Sequence, residues 1–500
     1  MKRIASLTLS GVLASSAAFA GPSDNSLNLV WERSLPTLNA YFSSVTENYT
    51  LALNLCDTLA YRNVDTLEVE PLLATGWTWT SPTELDMDLR EGVSFHDGQP
   101  FTADDVVATL NLVSNPDTGV NRQVMVDWID HVEKLGDYRV RIHLKEADQS
   151  VFDKITGGLP IYPAAYLAEV GLDAFGAAPI CTGPYKLVSF DPGSTVVLEK
   201  NADYFAGSPK GMPVIDRIEI RSVQDGNTRV AEFMTGRADW IHQLSADQAD
   251  QLGPVPGKKI VENESNRIAY VMFNPVNPPA GSPILDPKVR EAVGYAIDRE
   301  SMVEHLVRGA SKVLNTFCHP RMPGCLDNVF TIDYDPEKAK ALLAEAGYPD
   351  GFDIDLFAFR DRYVSEALIG DLQAVGIRAN LQYMQYGALD ENWQAGRLPF
   401  AHQSWSGDGL FDAGSHLTSH FLASDTIAPV EEIQQAIRDG NTASTQEERD
   451  VFYAEALKAL AEGVYWVPLY TTPEFYAVDE ALDFKAAPDG LARFFSASWQ

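Results

Sequence analysis

Leu89-Arg-Glu-Gly-Val-Ser-Phe-His-Asp-Gly-Gln-Pro-Phe-Thr-Ala-Asp-Asp-Val-Val-Ala-Thr-Leu110 is the stretch from which the rest of this chain can be read. Just before it, Leu85 and Met87 alternate with polar residues up to Leu89, the period of a half-buried strand. His96-Asp97-Gly98-Gln99 supplies turn chemistry, with Gly98 free to take positive φ. Thr102 stands three residues before Asp105, a capping-box spacing with Asp in place of Glu, ahead of the apolar residues Val106, Val107 and Leu110. The expected unit is strand, tight turn and capped helix.

A stretch of this length with this many set residue types resembles the signature of the extracytoplasmic family 5 solute-binding proteins, the receptors of peptide and nickel ABC importers. In that family the signature is scaffold, so none of these residues is given a ligand-binding role. The resemblance continues in order along the chain: Leu35-Pro-Thr-Leu-Asn39 is similar to an early TLDP segment, and Cys181-Thr-Gly-Pro-Tyr-Lys-Leu187 to a GTGPYKL return strand. Glu232 to Trp240, with Gly236 and Asp239, is similar to a helix-to-strand element, and Ala296-Ile-Asp-Arg-Glu300 to YAIDRE.

Bulk properties set wide bounds. Five hundred residues exceed what one core can serve. The formal charge of −32 is spread along the chain, which argues against nucleic acid and anionic membrane surfaces as partners. Residues 1–20 read as a secretory signal peptide: Lys2 and Arg3, the apolar centre Ile4 to Leu13, and Ala18-Phe19-Ala20 as the cleavage site. Export to the periplasm permits disulfides, and the four cysteines allow three connectivities. Cys318 and Cys325 bracket a short loop and are expected to pair; Cys56 and Cys181 would then be the second pair. No CxxC or Cys/His spacing suggests zinc.

Leu27 to Trp31 reads as a strand and Thr46 to Tyr61 as a helix. Trp77 and Trp79, with Leu85, Met87 and Leu89, are expected as core on two strands broken at Ser81-Pro82. Val140, Ile142 and Leu144 face inward from a strand whose Arg139, Arg141, His143 and Lys145 form a solvated face. Asp286-Pro287 and Asp335-Pro336 are helix starts. Phe352–Phe359, Val364–Val375 and Ile377–Tyr383 form a β-α-β unit, and Val464 to Tyr476 is an apolar returning strand.

The resemblance implies an α/β, two-lobed periplasmic binding protein fold with an extra domain in the first lobe. The expected division is 21–55, 182–268 and 471–500 for domain I, 56–181 for the extra domain II, and 269–470 for domain III, with lobe crossings and hinge near 270 and 470. It further implies a non-enzymatic, cofactor-free, monomeric receptor. Such a receptor captures a small solute, a di- or oligopeptide in the first instance, and delivers it to an ABC permease. A nickel or metal-chelate receptor is the alternative within the family. An exported hydrolase is the competing class, and it finds no HExxH, G-x-S-x-G, P-loop or GxGxxG.

Closing lobes expel water, so ligand charges need partners in the cleft. Trp405-Ser-Gly-Asp408 has the W-x-x-D spacing by which peptide-binding members hold an α-ammonium. The chain then departs from the family pattern, which leaves Asp412 competing with Asp408; both could equally be turn and cap residues. Arg360 and Arg362, at the carboxyl end of the β-α-β strand, are candidates for a ligand carboxylate or for a local salt bridge with Asp361. Trp31 and Tyr470 are weaker cleft candidates. His416 and His420 share a helical spacing that could chelate a metal.

Overall fold

The structure is a computed structural model describing residues 23–500 apart from 44, 275–280, 396 and 423–429; the expected signal peptide lies outside the described residues. The signature folds as its spacing requires. Glu84–Leu89 is a strand, Gly98 takes φ +88°, and the helix Ala103–Val113 begins with a reciprocal Thr102/Asp105 capping box. Both nitrogens of His96 bind the 181–183 segment: Nδ1 accepts from Cys181 N (3.3 Å) and Nε2 donates to Gly183 O (3.1 Å). The turn is thus stitched to the first lobe's return segment, a scaffold role.

That strand belongs to a four-stranded antiparallel sheet, in the order Ala74–Ser81, Glu84–Leu89, Arg139–Leu144 and Ile129–Gly136. Leu85, Met87, Val140 and Ile142 are buried against Val106 and Leu110 of the helix. Arg139 and Arg141 both donate to Asp86, so the basic row is neutralised by the adjacent strand. The tryptophans depart from expectation. Trp79 pairs with Leu85, but on the edge strand, beyond the helix's cover, and it is 40% exposed; Trp77 is half-buried against Phe152.

A ten-stranded sheet runs through the molecule: Ile377–Tyr383, Phe352–Ala358, Phe400–Trp405, Lys258–Phe273, Trp466–Asp479, Trp240–Ile241, Ser26–Trp31, Arg217–Ser222, Thr195–Lys200 and Tyr185–Asp191. Its two central strands are long and antiparallel, with a register break between Glu264 and Ile268. Up to Glu264 they pair on the side of the first lobe's core, built from residues 27–220 and the chain end. From Ile268 they lie in a second core of residues 268–470. A small third cluster joins Val30, Phe233, Leu252 and Ala477. The β-α-β unit forms with its strands parallel, Phe352 opposite Ile377, around the helix Arg362–Ala374.

The first helix, Thr46–Leu55, ends six residues earlier than expected. Cys56 is joined to Cys181, and Asp57, fully buried, pairs with Lys210 (2.8 Å) and accepts from Thr182 and Tyr204. Those partners pull the chain out of helix before it re-enters as the strand Ala60–Arg62. Cys318 is joined to Cys325. Among the described residues no helix is long and apolar enough to cross a membrane.

Candidate functional site: a charged cleft between the lobes

Four strands end at one cavity of about 310 Å³. Glu32 and Arg33 follow Ser26–Trp31, His242 to Ala246 follow Trp240–Ile241, Phe359 to Tyr363 follow Phe352–Ala358, and Tyr383 closes Ile377–Tyr383. Open α/β sheets present ligands at such carboxyl ends. The central strands add Arg267, Tyr470 and Thr472 to Tyr476, so the cavity touches both lobes and the strands between them.

Its electrostatics are unusual for a protein interior. Among the described residues the Arg267 guanidinium makes one hydrogen bond, Nη1 to Ser404 Oγ at 3.5 Å. Burial lowers its pKa, and the guanidiniums of Arg360 and Arg33 lower it further. Glu474 accepts from Tyr476 Oη (2.8 Å) and Asn263 Nδ2 (3.4 Å), and burial raises its pKa. Arg360 is paired locally, Nε to Asp361 Oδ2 at 3.2 Å, with Asp361 in the left-handed region at φ +47°.

Behind the wall lies Glu47, 1% exposed, with neither carboxylate oxygen hydrogen-bonded. Arg33 Nε and His242 Nε2 each stand 4.0 Å from it. Burial pushes His242 down to about 3, so it is neutral, and its ring lies 4.8 Å from that of Trp240.

Of the residues singled out in the sequence, Arg360, Arg362 and Tyr470 line the cavity. Arg362 pairs with Glu366 at 2.8 Å on the exposed helix face, and Tyr470 is buried. The structure places the others elsewhere. Trp31 is in the first lobe's core, because its strand is covered on both faces. Trp405 packs edge-on against His416 (4.4 Å) and His420 (5.3 Å). Asp408 accepts from Thr46 Oγ1 at 2.9 Å. Asp412 is buried, caps Gly414 N, and pairs with Arg449 at 2.6 Å.

His416 is fully buried, and its Nε2 donates to Phe317 O (2.5 Å). Among the described residues no group of three His, Cys, Asp or Glu side chains could hold a metal. The residues that sequence reasoning missed are Arg267, Glu474, Arg33 and His242. The one signal for Arg267 was an arginine placed directly before the apolar run that starts at Ile268.

Residues 68–426 match the family described as bacterial extracellular solute-binding proteins, family 5 Middle. The chain is similar to the glutathione-binding protein GsiB of Salmonella typhi, 29% identical over 411 residues, covering 81% of this chain and 77% of that protein. It is also similar to the probable di/tripeptide-binding protein 5 of Pseudomonas aeruginosa, 26% identical over 464 residues, covering 85% and 86%. Among solved structures it resembles the periplasmic binding protein DppA from Helicobacter pylori in complex with the peptide STSA. There the TM-score is 0.85 at 21% identity, covering 95% of this chain and 98% of that one.

Proposed function

The chain belongs to the bacterial extracellular solute-binding proteins of family 5, and from that premise we infer that it is the receptor of an ABC importer for a small zwitterionic solute, a di- or tripeptide or a peptide-like amino-acid conjugate. The solute lies in the cavity between the lobes. Its carboxylate meets the Arg267 and Arg360 guanidiniums, with Arg362 at the rim, and its ammonium meets Glu474. One observation carries this reading: opposite, half-buried charges face one cavity, and neither Arg267 nor Glu474 stands in an ion pair among the described residues. A buried charge is costly until it is paired, and a ligand with complementary ends supplies both partners at once.

The receptor acts in the periplasm after cleavage behind Ala20, as a monomer, and passes its cargo to the permease chemically unchanged. Domains I, II and III divide as 21–55 with 182–268 and 471–500, 56–181, and 269–470. The hinge is the register break at Ser265 to Arg267 with Thr472 opposite. The relatives named for glutathione and for di- and tripeptides support the solute class.

Thermal unfolding across glutathione, di- and tripeptides and free amino acids tests it. A ligand that binds only the folded state stabilises by about 2.7 kcal/mol at a hundredfold excess over its Kd. At least one peptide-like compound is expected to raise the midpoint and to lose that effect in Arg267→Gln. A panel with no shift overturns the solute class.

A further inference from the structure

Residues 406–412 leave the second-lobe strand Phe400–Trp405, dip into the first lobe at Leu410 and return to the second. Leu410 is 0% exposed and belongs to the first lobe's apolar core, whereas Ala413 and Leu417, a few residues on, belong to the second. Its entry depends on two glycines that meet across the gap. A Cβ on Gly157 would lie 2.9 Å from Leu410 Cδ2, and one on Gly409 would lie 2.8 Å from Gly157 O. Gly409 also holds φ +97°, a conformation that suits glycine.

Polar contacts fasten the same turn. Asp153, on the first-lobe helix Val151–Thr156 and 4% exposed, accepts from Phe411 N (2.7 Å), Asp412 N (3.2 Å) and Ser415 Oγ (2.8 Å). Arg62 Nη2 holds that carboxylate at 3.3 Å. Arg122 Nη2 donates to Gly407 O (3.3 Å). Beside the register break of the central strands, Asn266 Nδ2 donates to Leu410 O (3.0 Å). The far end of the turn is tied to its own lobe through Asp412 and Arg449.

We propose that the 406–412 turn is a lobe latch, in which Leu410 and Asp153 are positioning residues that hold the two lobes shut over the cleft without touching the solute. These contacts exist only while the lobes are together. They therefore bias the open–closed equilibrium and scale the affinity for every solute by one common factor, leaving the ranking of solutes to the cleft. Release to a membrane partner requires drawing Leu410 out of its socket.

Hydrogen exchange on the full mature chain without added solute tests the latch, with small-angle scattering on the same samples. Leu410→Ala and Gly409→Ala are compared with the parent protein; the second variant changes only the tip of the turn, so it reports even if the first perturbs the core. In the parent, residues 406–415 and 151–158 are expected to be protected. In both variants the two segments are expected to exchange at least tenfold faster together, with a larger radius of gyration, while 400–405 and 446–463 keep their protection. Unchanged exchange in both variants overturns the latch. So does faster exchange of 406–415 alone at an unchanged radius of gyration.

Discussion

Arg267 and Glu474 reach one cavity from the two strands that cross between the lobes, each within electrostatic range of the other. Neither stands in an ion pair among the described residues. Arg267 stands at the register break of those two strands, directly before Ile268 where pairing resumes. With the hinge proposed above, a solute that joins the two charges couples closure to binding.

Arg267→Met separates stability from function. It removes an unpaired, half-buried charge, so the solute-free protein is expected to unfold at a higher temperature or an unchanged one. Affinity for the solute falls by about 2–5 kcal/mol, roughly thirtyfold to several thousandfold, because the ligand carboxylate loses its partner. Calorimetric titration beside thermal unfolding reads both signs.

Asp412→Ala behaves in the opposite way. It strands Arg449, whose guanidinium is buried and bonded to Asp412 and Tyr453, at a cost of about 3–5 kcal/mol. Asp408→Ala loses one half-exposed hydrogen bond to Thr46 and is expected to cost about 1 kcal/mol. Denaturant midpoints of the two variants order them.

The two disulfides differ in the loop they close, 125 residues for Cys56–Cys181 against 7 for Cys318–Cys325. On the chain-entropy account, removal of the first by paired serine substitution costs about 5 kcal/mol and of the second about 2 kcal/mol. Equal losses would place the stabilisation in local packing instead.

Acid is expected to weaken the fold between pH 7 and 5.5. Burial pushes His242 and His416 down to about 3, and His96, His319 and His402 down to about 4. Their folded pKa values lie below the ordinary 6.5, so below that pH the unfolded chain binds more protons and stability falls as pH falls. Each contributes a loss of about 1 kcal/mol at pH 5.5. Asp153 and Asp239 act with the opposite sign, because burial pushes both up to about 6, and they offset part of the loss. Urea midpoints at pH 7 and 5.5 measure the balance, and His96→Gln is expected to shrink the difference.

Local elements were legible because their signals are short-range. The Thr102/Asp105 box, the Asp286 and Asp335 caps and the β-α-β alternation each depend on residues within a few positions of one another. What escaped depends on partners far along the chain. The first helix stops where Asp57 finds Lys210, and Asp412 is claimed by Arg449, 37 positions on. Trp79 is exposed because its strand is an edge, which periodicity alone does not reveal. Arg267 is hidden because it lies within the strand Lys258–Phe273, where a charge in sequence reads as a solvent-facing residue.

Native mass spectrometry of the untagged protein, intact and then unfolded, tests most directly the claim that the cleft grips a solute and leaves it unchanged. The parent protein is expected to release one small zwitterionic molecule per chain, with an unaltered mass after rebinding, and an Arg267→Met, Glu474→Gln double variant is expected to release none. Equal release from both proteins, or a released compound chemically different from the one added, would contradict it.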